Sequence, residues 1–151
     1  MHLRLIAVGR VRTRYVAAAC EEFRTRLRPY YAYDETEVRA GERDDPIDAM
    51  RLEADRILKL LRPDERVWLL EREGIQLASH ELAVRLSEID GSGRLTLIVA
   101  GTYGADERLH RRANFIWSLS RLTLLHEWAR MLVLEQLYRA AKITRNEPYH
   151  H

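Results

Sequence analysis

The stretch Leu95-Thr96-Leu97-Ile98-Val99 is apolar or β-branched throughout, and it constrains the fold more than any other. A strand with one wet face alternates apolar and polar side chains. An unbroken run fits a strand buried on both faces, as in a parallel sheet covered by helices. The run ends in Ala100-Gly101-Thr102-Tyr103-Gly104. Two glycines around a two-residue tip make a turn that tolerates positive φ and lets a ligand approach the backbone. Asp106 can cap a helix, predicted to run to about Ser118. Hydroxyls and β-formers between Trp117 and His126 interrupt it, and a last helix is predicted from Glu127 to about Ile143.

The same alternation runs through the rest of the chain. Leu3 to Val8 reads as a strand, Gly9 to Arg14 as a turn, and the residues up to Leu27 as a helix. A second strand covers Asp34 to Ala40, and an amphipathic helix from Ile47 stops near Pro63. Val67 to Leu70 forms a short buried strand that leaves through a glycine turn, Glu71-Arg72-Glu73-Gly74. Ser79 is expected to cap the third helix, which closes at 90–93. Strands alternating with helices imply an α/β fold, a mostly parallel sheet with helices on both faces. A chain of 151 residues fits one domain, 1–151. It has no run of eighteen apolar residues, and Met1-His2-Leu3-Arg4 enters a strand rather than a signal peptide's apolar core. The expectation is a soluble, cytoplasmic protein without a membrane partner. Cys20 is the single cysteine and reads as a buried thiol on a helix.

Net charge is +2, but it is unevenly spread. Residues 1–30 carry seven Arg against two Glu, and residues 101–151 carry eight basic against five acidic. The middle is acidic. Planar arginines suit bidentate contact with phosphate, so the basic ends point to nucleic acid. The candidates are Arg10, Arg12 and Arg14 at a strand's C-terminal end, where open α/β sheets place ligands, and Arg130, Arg139 and Arg145 near the other terminus. Tyr149 beyond them suits base stacking, or equally a docked structural tail.

Several site classes are disfavoured. A dinucleotide fold has a G-x-G-x-x-G turn after its first strand, where this chain has Gly9 alone. His126-Glu127-Trp128-Ala129-Arg130 resembles the zinc-protease helix, yet Arg130 stands where the second histidine ligand belongs, so no metal is expected. Ser118 and Ser120 lack a nucleophile elbow and read as turn serines. In the last helix, Met131-Leu132-Val133-Leu134 places four successive apolar residues, which implies burial of more than one face and hence a homodimer.

Trp117-Ser118-Leu119-Ser120-Arg121-Leu122-Thr123-Leu124-Leu125-His126, Arg130, Glu135-Gln136-Leu137-Tyr138-Arg139-Ala140 and Tyr149-His150 resemble the ribosomal RNA large subunit methyltransferase H family. Leu5-Ile6-Ala7-Val8-Gly9 and the stretch Glu22-Phe23 to Pro29-Tyr30 match it too, so the resemblance spans the chain. It implies a SPOUT-superfamily fold with a C-terminal trefoil knot. It further implies methylation of N3 of a pseudouridine in large-subunit rRNA, within a ribosome or subunit, using S-adenosylmethionine. The cofactor places carried over are Leu70, Ala100 with Gly101, and Leu119, Ser120, Arg121, Leu122, Thr123 and Leu124. His126 and the tail's His150 are the candidate bases for the N3 proton. The chain departs from the family where it has Ala100 in place of a glycine, Tyr103 in the turn, and Leu125 where a proline precedes His126. These departures keep open a knotted RNA- or ribosome-binding module without activity, or a methyltransferase with another RNA target.

Overall fold

The computed structural model describes residues 1–89, 91 and 93–149. Strands and helices alternate: β1 His2–Val8, α1 Arg14–Leu27, β2 Ala32–Val38, α2 Pro46–Leu58, β3 Arg66–Gln76, α3 Ser79–Ser87, β4 Arg94–Val99, α4 Glu107–Arg112, β5 Phe115–Ser118 and α5 His126–Thr144. The strands form one sheet in the order β2-β1-β4-β3-β5, and every neighbouring pair is parallel. The alternation of side chains along each strand then sorts the core into two layers. Leu3, Leu5 and Ala7 of β1, with Leu95, Leu97 and Val99 of β4, face α1, α3 and α5. Ile6 and Val8, with Leu69 and Ile98, face Ala54 and Ile57 of α2 and Leu109 of α4. β4 is therefore buried on both faces, as its unbroken apolar run predicts.

The fourth helix and the strand after it differ from expectation. The helix does not reach Ser118: it ends at Arg112, and Phe115–Ser118 form a fifth strand beside β3. Asn114 makes the break, accepting from Val67 N through Oδ1 at 2.7 Å and donating its own N–H to Val67 O at 2.8 Å. Phe115, Ile116 and Trp117 suit a pleated surface better than a helix. The Asp106 cap holds, its carboxylate accepting from Arg108 N at 2.9 Å. Ser79 is not a cap but the first helical residue after Ala78; its hydroxyl donates to Gln136 Oε1 at 2.9 Å, tying α3 to α5.

α5 corrects the argument for a dimer. Val133, Leu134 and Leu137 are fully buried within the single chain, where α5 packs against both α1 and α3. Two helix neighbours and the sheet absorb these three residues, with Met131 partly buried beside them. Cys20 is buried in the same layer, and burial pushes its thiol pKa up, which leaves it inert as a nucleophile.

Candidate active site

At the carboxyl ends of β3, β4 and β5, three loops surround a cavity of about 350 Å3. Parallel sheets bind ligands at this end, and the volume falls within the roughly 300–1,000 Å3 of small-molecule sites. The loops are residues 71–74, 100–104 and 119–125, with His126 and Ala129 of the first turn of α5 closing one side.

Each loop has a local cause. The first is not a turn that ends the strand: Leu70 and Ile75 both pair with Trp117, so β3 continues and residues 71–74 are extruded from it. Gly74 permits this, because a Cβ there would stand 2.7 Å from Ile116 O. The second loop closes on itself through Gly104 N donating to Gly101 O at 3.1 Å, with Gly104 at φ +89°. Beneath it, a Cβ on Gly101 would meet the buried Glu53 carboxylate at 2.8 Å. Glu53 is fixed there by the Gly41 N–H at 2.9 Å, and burial raises its pKa. The third loop is held by hydroxyls. Ser118 Oγ lies 2.9 Å from Arg72 O and 3.0 Å from Ser120 O, Ser120 Oγ accepts from Leu122 N at 3.0 Å, and Thr123 Oγ1 accepts from Arg72 at 3.0 Å. Both serines thus shape backbone.

Of the cofactor places, Leu70, Ala100, Gly101, Leu119, Ser120, Leu122, Thr123 and Leu124 all line the cavity, whereas Arg121 is exposed and does not. His126 lines it too; His150 lies outside the described residues. Glu71, Arg72 and Glu73 also reach the cavity and were missed as site residues. Three charges in a row at the end of a buried strand were the available signal. Tyr103 lines the cavity while 56 % exposed.

The arginine candidates separate into three groups. Arg10 and Arg12 are exposed on the turn after β1, and Arg14 is exposed at the start of α1. This turn is docked on the first turn of α5: Glu127 accepts from Arg12 N and, at 3.3 Å, from Thr13 N, and these bonds hold its carboxyl below the usual range. A Cβ on Gly9, at φ +83°, would lie 3.8 Å from His126 Nε2, so the arginine turn adjoins the cavity wall. Arg130 is not available to RNA. It is 1 % exposed, donating to Glu35 at 2.9 Å, to Gly9 O at 3.2 Å and to Glu37. Its charge is spent holding α5 on β1 and β2. Arg139 and Arg145 lie about 20 and 28 Å along α5 from its first residue, at 1.5 Å per residue. Arg139 pairs with Glu135 at 2.6 Å and lies 4.6 Å over the Tyr149 ring. Tyr149 stacks edge-on against Tyr138 at 4.8 Å and donates to Glu135, so the tail is docked.

Comparison with known proteins agrees with this geometry. Residues 1–150 match the family model described as a predicted SPOUT methyltransferase. The chain is 41 % identical over 151 residues to a protein of Solidesulfovibrio magneticus named ribosomal RNA large subunit methyltransferase H, covering 99 % of this chain and 98 % of that one. It is 36 % identical over 154 residues to the protein of that name from Dictyoglomus thermophilum, covering 100 % of both. Among solved structures, a probable methyltransferase from Bordetella pertussis Tohama I aligns over 93 % of this chain and 96 % of its own, with a TM-score of 0.58 at 15 % identity. The fold is shared with that neighbour, and full-length likeness to the first two sets the family: the chain belongs to the SPOUT methyltransferases, alongside the ribosomal RNA large subunit methyltransferase H proteins.

Proposed function

We propose that this chain transfers a methyl group from S-adenosylmethionine to N3 of a pseudouridine in large-subunit ribosomal RNA. The observation that carries this reading is the convergence of eight of the nine resemblance-derived cofactor places on one cavity. The cavity fits such a ligand. It offers an apolar wall of Leu70, Trp117, Leu119 and Leu124, and a glycine turn whose backbone a ligand can approach. Bound there, S-adenosylmethionine supplies an already activated methyl group, so positioning is the main demand on the protein. The three loops orient the donor and exclude water. His126, on the cavity wall beside the arginine turn, is assigned the N3 proton. Arg10, Arg12 and Arg14 hold the RNA backbone next to that wall.

The route of the chain supports the trefoil threading expected of this superfamily. After β5, at one edge of the sheet, the backbone passes the loops that follow β3 and β4 to reach the end of β1, where Glu127 and Arg130 anchor it. A homodimer belongs to the same reading, moved from the middle of α5 to its start. Tyr15, Tyr103, Leu122, Leu125 and Trp128 are large, apolar and 41–74 % exposed around the cavity end, a patch suited to a second copy.

The test is incubation of ribosomes, isolated large subunits and free rRNA with methyl-labelled S-adenosylmethionine. Label is expected in large-subunit rRNA and absent with His126→Ala. Binding of particles without any transfer would favour the module that no longer methylates.

A further inference from the structure

The cavity carries an acidic group whose role the family resemblance leaves open. Three charged residues of the extruded loop of β3 line it: Glu71, Arg72 and Glu73. Arg72 and Glu73 neutralise one another at 3.1 Å. Glu71 has no such partner in its own loop. Its Oε1 accepts from Ala105 N at 3.0 Å, and the imidazole of His110 stands 3.7 Å from the same oxygen. Its side chain is only 20 % exposed, and a Cβ on Gly104 would lie 3.7 Å from it. Glu71 thus spans two of the three cavity loops, fixed by a backbone donor that is neutral.

We infer that Glu71 is a specificity-determining residue of the methyl-donor site, whose carboxylate favours the positively charged sulfonium donor over its neutral thioether product. This rests on the proposed function. The donor carries a sulfonium, an ammonium and a carboxylate, for a net charge of +1, and the product that has lost the methyl cation has a net charge of 0. A partly desolvated negative charge that no lysine or arginine of its loop offsets stabilises the first ligand more than the second. Such a bias opposes retention of the product after transfer. It also accounts for three charges in a loop leaving a buried strand. Apolar residues there would serve the wall equally well.

The experiment is calorimetric binding of S-adenosylmethionine and of S-adenosylhomocysteine to the wild type and to Glu71→Gln, Glu71→Asp and Glu71→Ala. Gln keeps an oxygen for the Ala105 N–H and removes only the charge. Glu71→Gln is expected to weaken donor binding roughly tenfold, the scale of one charge pair in a partly exposed site, while product binding changes less than about twofold. Asp should restore most of the discrimination, and Ala should weaken both ligands by releasing the glycine turn. Equal weakening of both ligands by Gln would make Glu71 a strap on the turn and overturn the inference, as would no change in either. A wild type that binds neither ligand would overturn the proposed function as well, so the two failures are separable.

Discussion

At the scale of single residues, the two positions of the glycine turn should differ in sensitivity. Gly101→Ala drives a methyl against Glu53, and Glu53 cannot yield without breaking its bond to Gly41 N. We expect a cost of about 1–3 kcal/mol, read as a lower melting temperature and weakened donor binding. Ala100→Gly should change donor affinity less than about tenfold, since the neighbouring wall residues retain the types expected of the site. Leu125, where the family resemblance implies a proline, keeps φ at −58°, within the range a proline ring imposes. Leu125→Pro is therefore expected to stabilise the protein by about 0.4–1 kcal/mol, measured by denaturant unfolding. The cavity-lining residues were legible because the resemblance fell on the same loops that strand ends and turns already marked. Arg130 was not legible: one arginine in a basic segment looks the same whether it faces phosphate or a pair of carboxylates on β2, and only the register of β2 shows which.

At the scale of elements, the Arg130 cluster joins α5, β1 and β2. Burial alone would raise the pKa of Glu35, but hydrogen bonds from Arg24 and Arg130 outweigh it and hold its carboxyl below the usual range. A carboxyl depressed in the folded state stabilises fully above its unfolded value of about 4.3 and loses that contribution as pH falls through the folded value. Stability should thus fall most steeply below about pH 4. Glu35→Gln should flatten that limb while costing about 3 kcal/mol at neutral pH, because two cations lose a shared, largely buried partner and keep only Glu21 and Glu37; urea unfolding across pH 2–7 checks both. The apolar run of α5 argues similarly. Leu134→Glu is expected to unfold the chain rather than release a dimer, since Leu134 is in the protomer core. Leu122→Glu, at 74 % exposure, should leave the fold intact and shift sedimentation from dimer to monomer. A wild type that sediments as a monomer at micromolar concentration would remove the dimer. Four strands and most helix bounds were readable from periodicity and turns. β5 was not, because a four-residue aromatic strand after a capped helix lies below the length at which helical and strand periods separate.

At the scale of the whole molecule, the sheet order brings together three loops far apart in sequence, near residues 71–74, 100–104 and 119–125. Local pattern marked the turns but not their convergence, which comes from β5 returning to the edge beside β3. The central claim is that these loops hold a methyl donor for one nucleotide of large-subunit rRNA. Mass mapping of rRNA from subunits treated with wild-type protein and S-adenosylmethionine tests it most directly. The predicted result is one added methyl on a single pseudouridine, absent without donor and lost with Gly101→Ala. An unmodified large-subunit rRNA, or methyl groups scattered over many nucleotides, would contradict it.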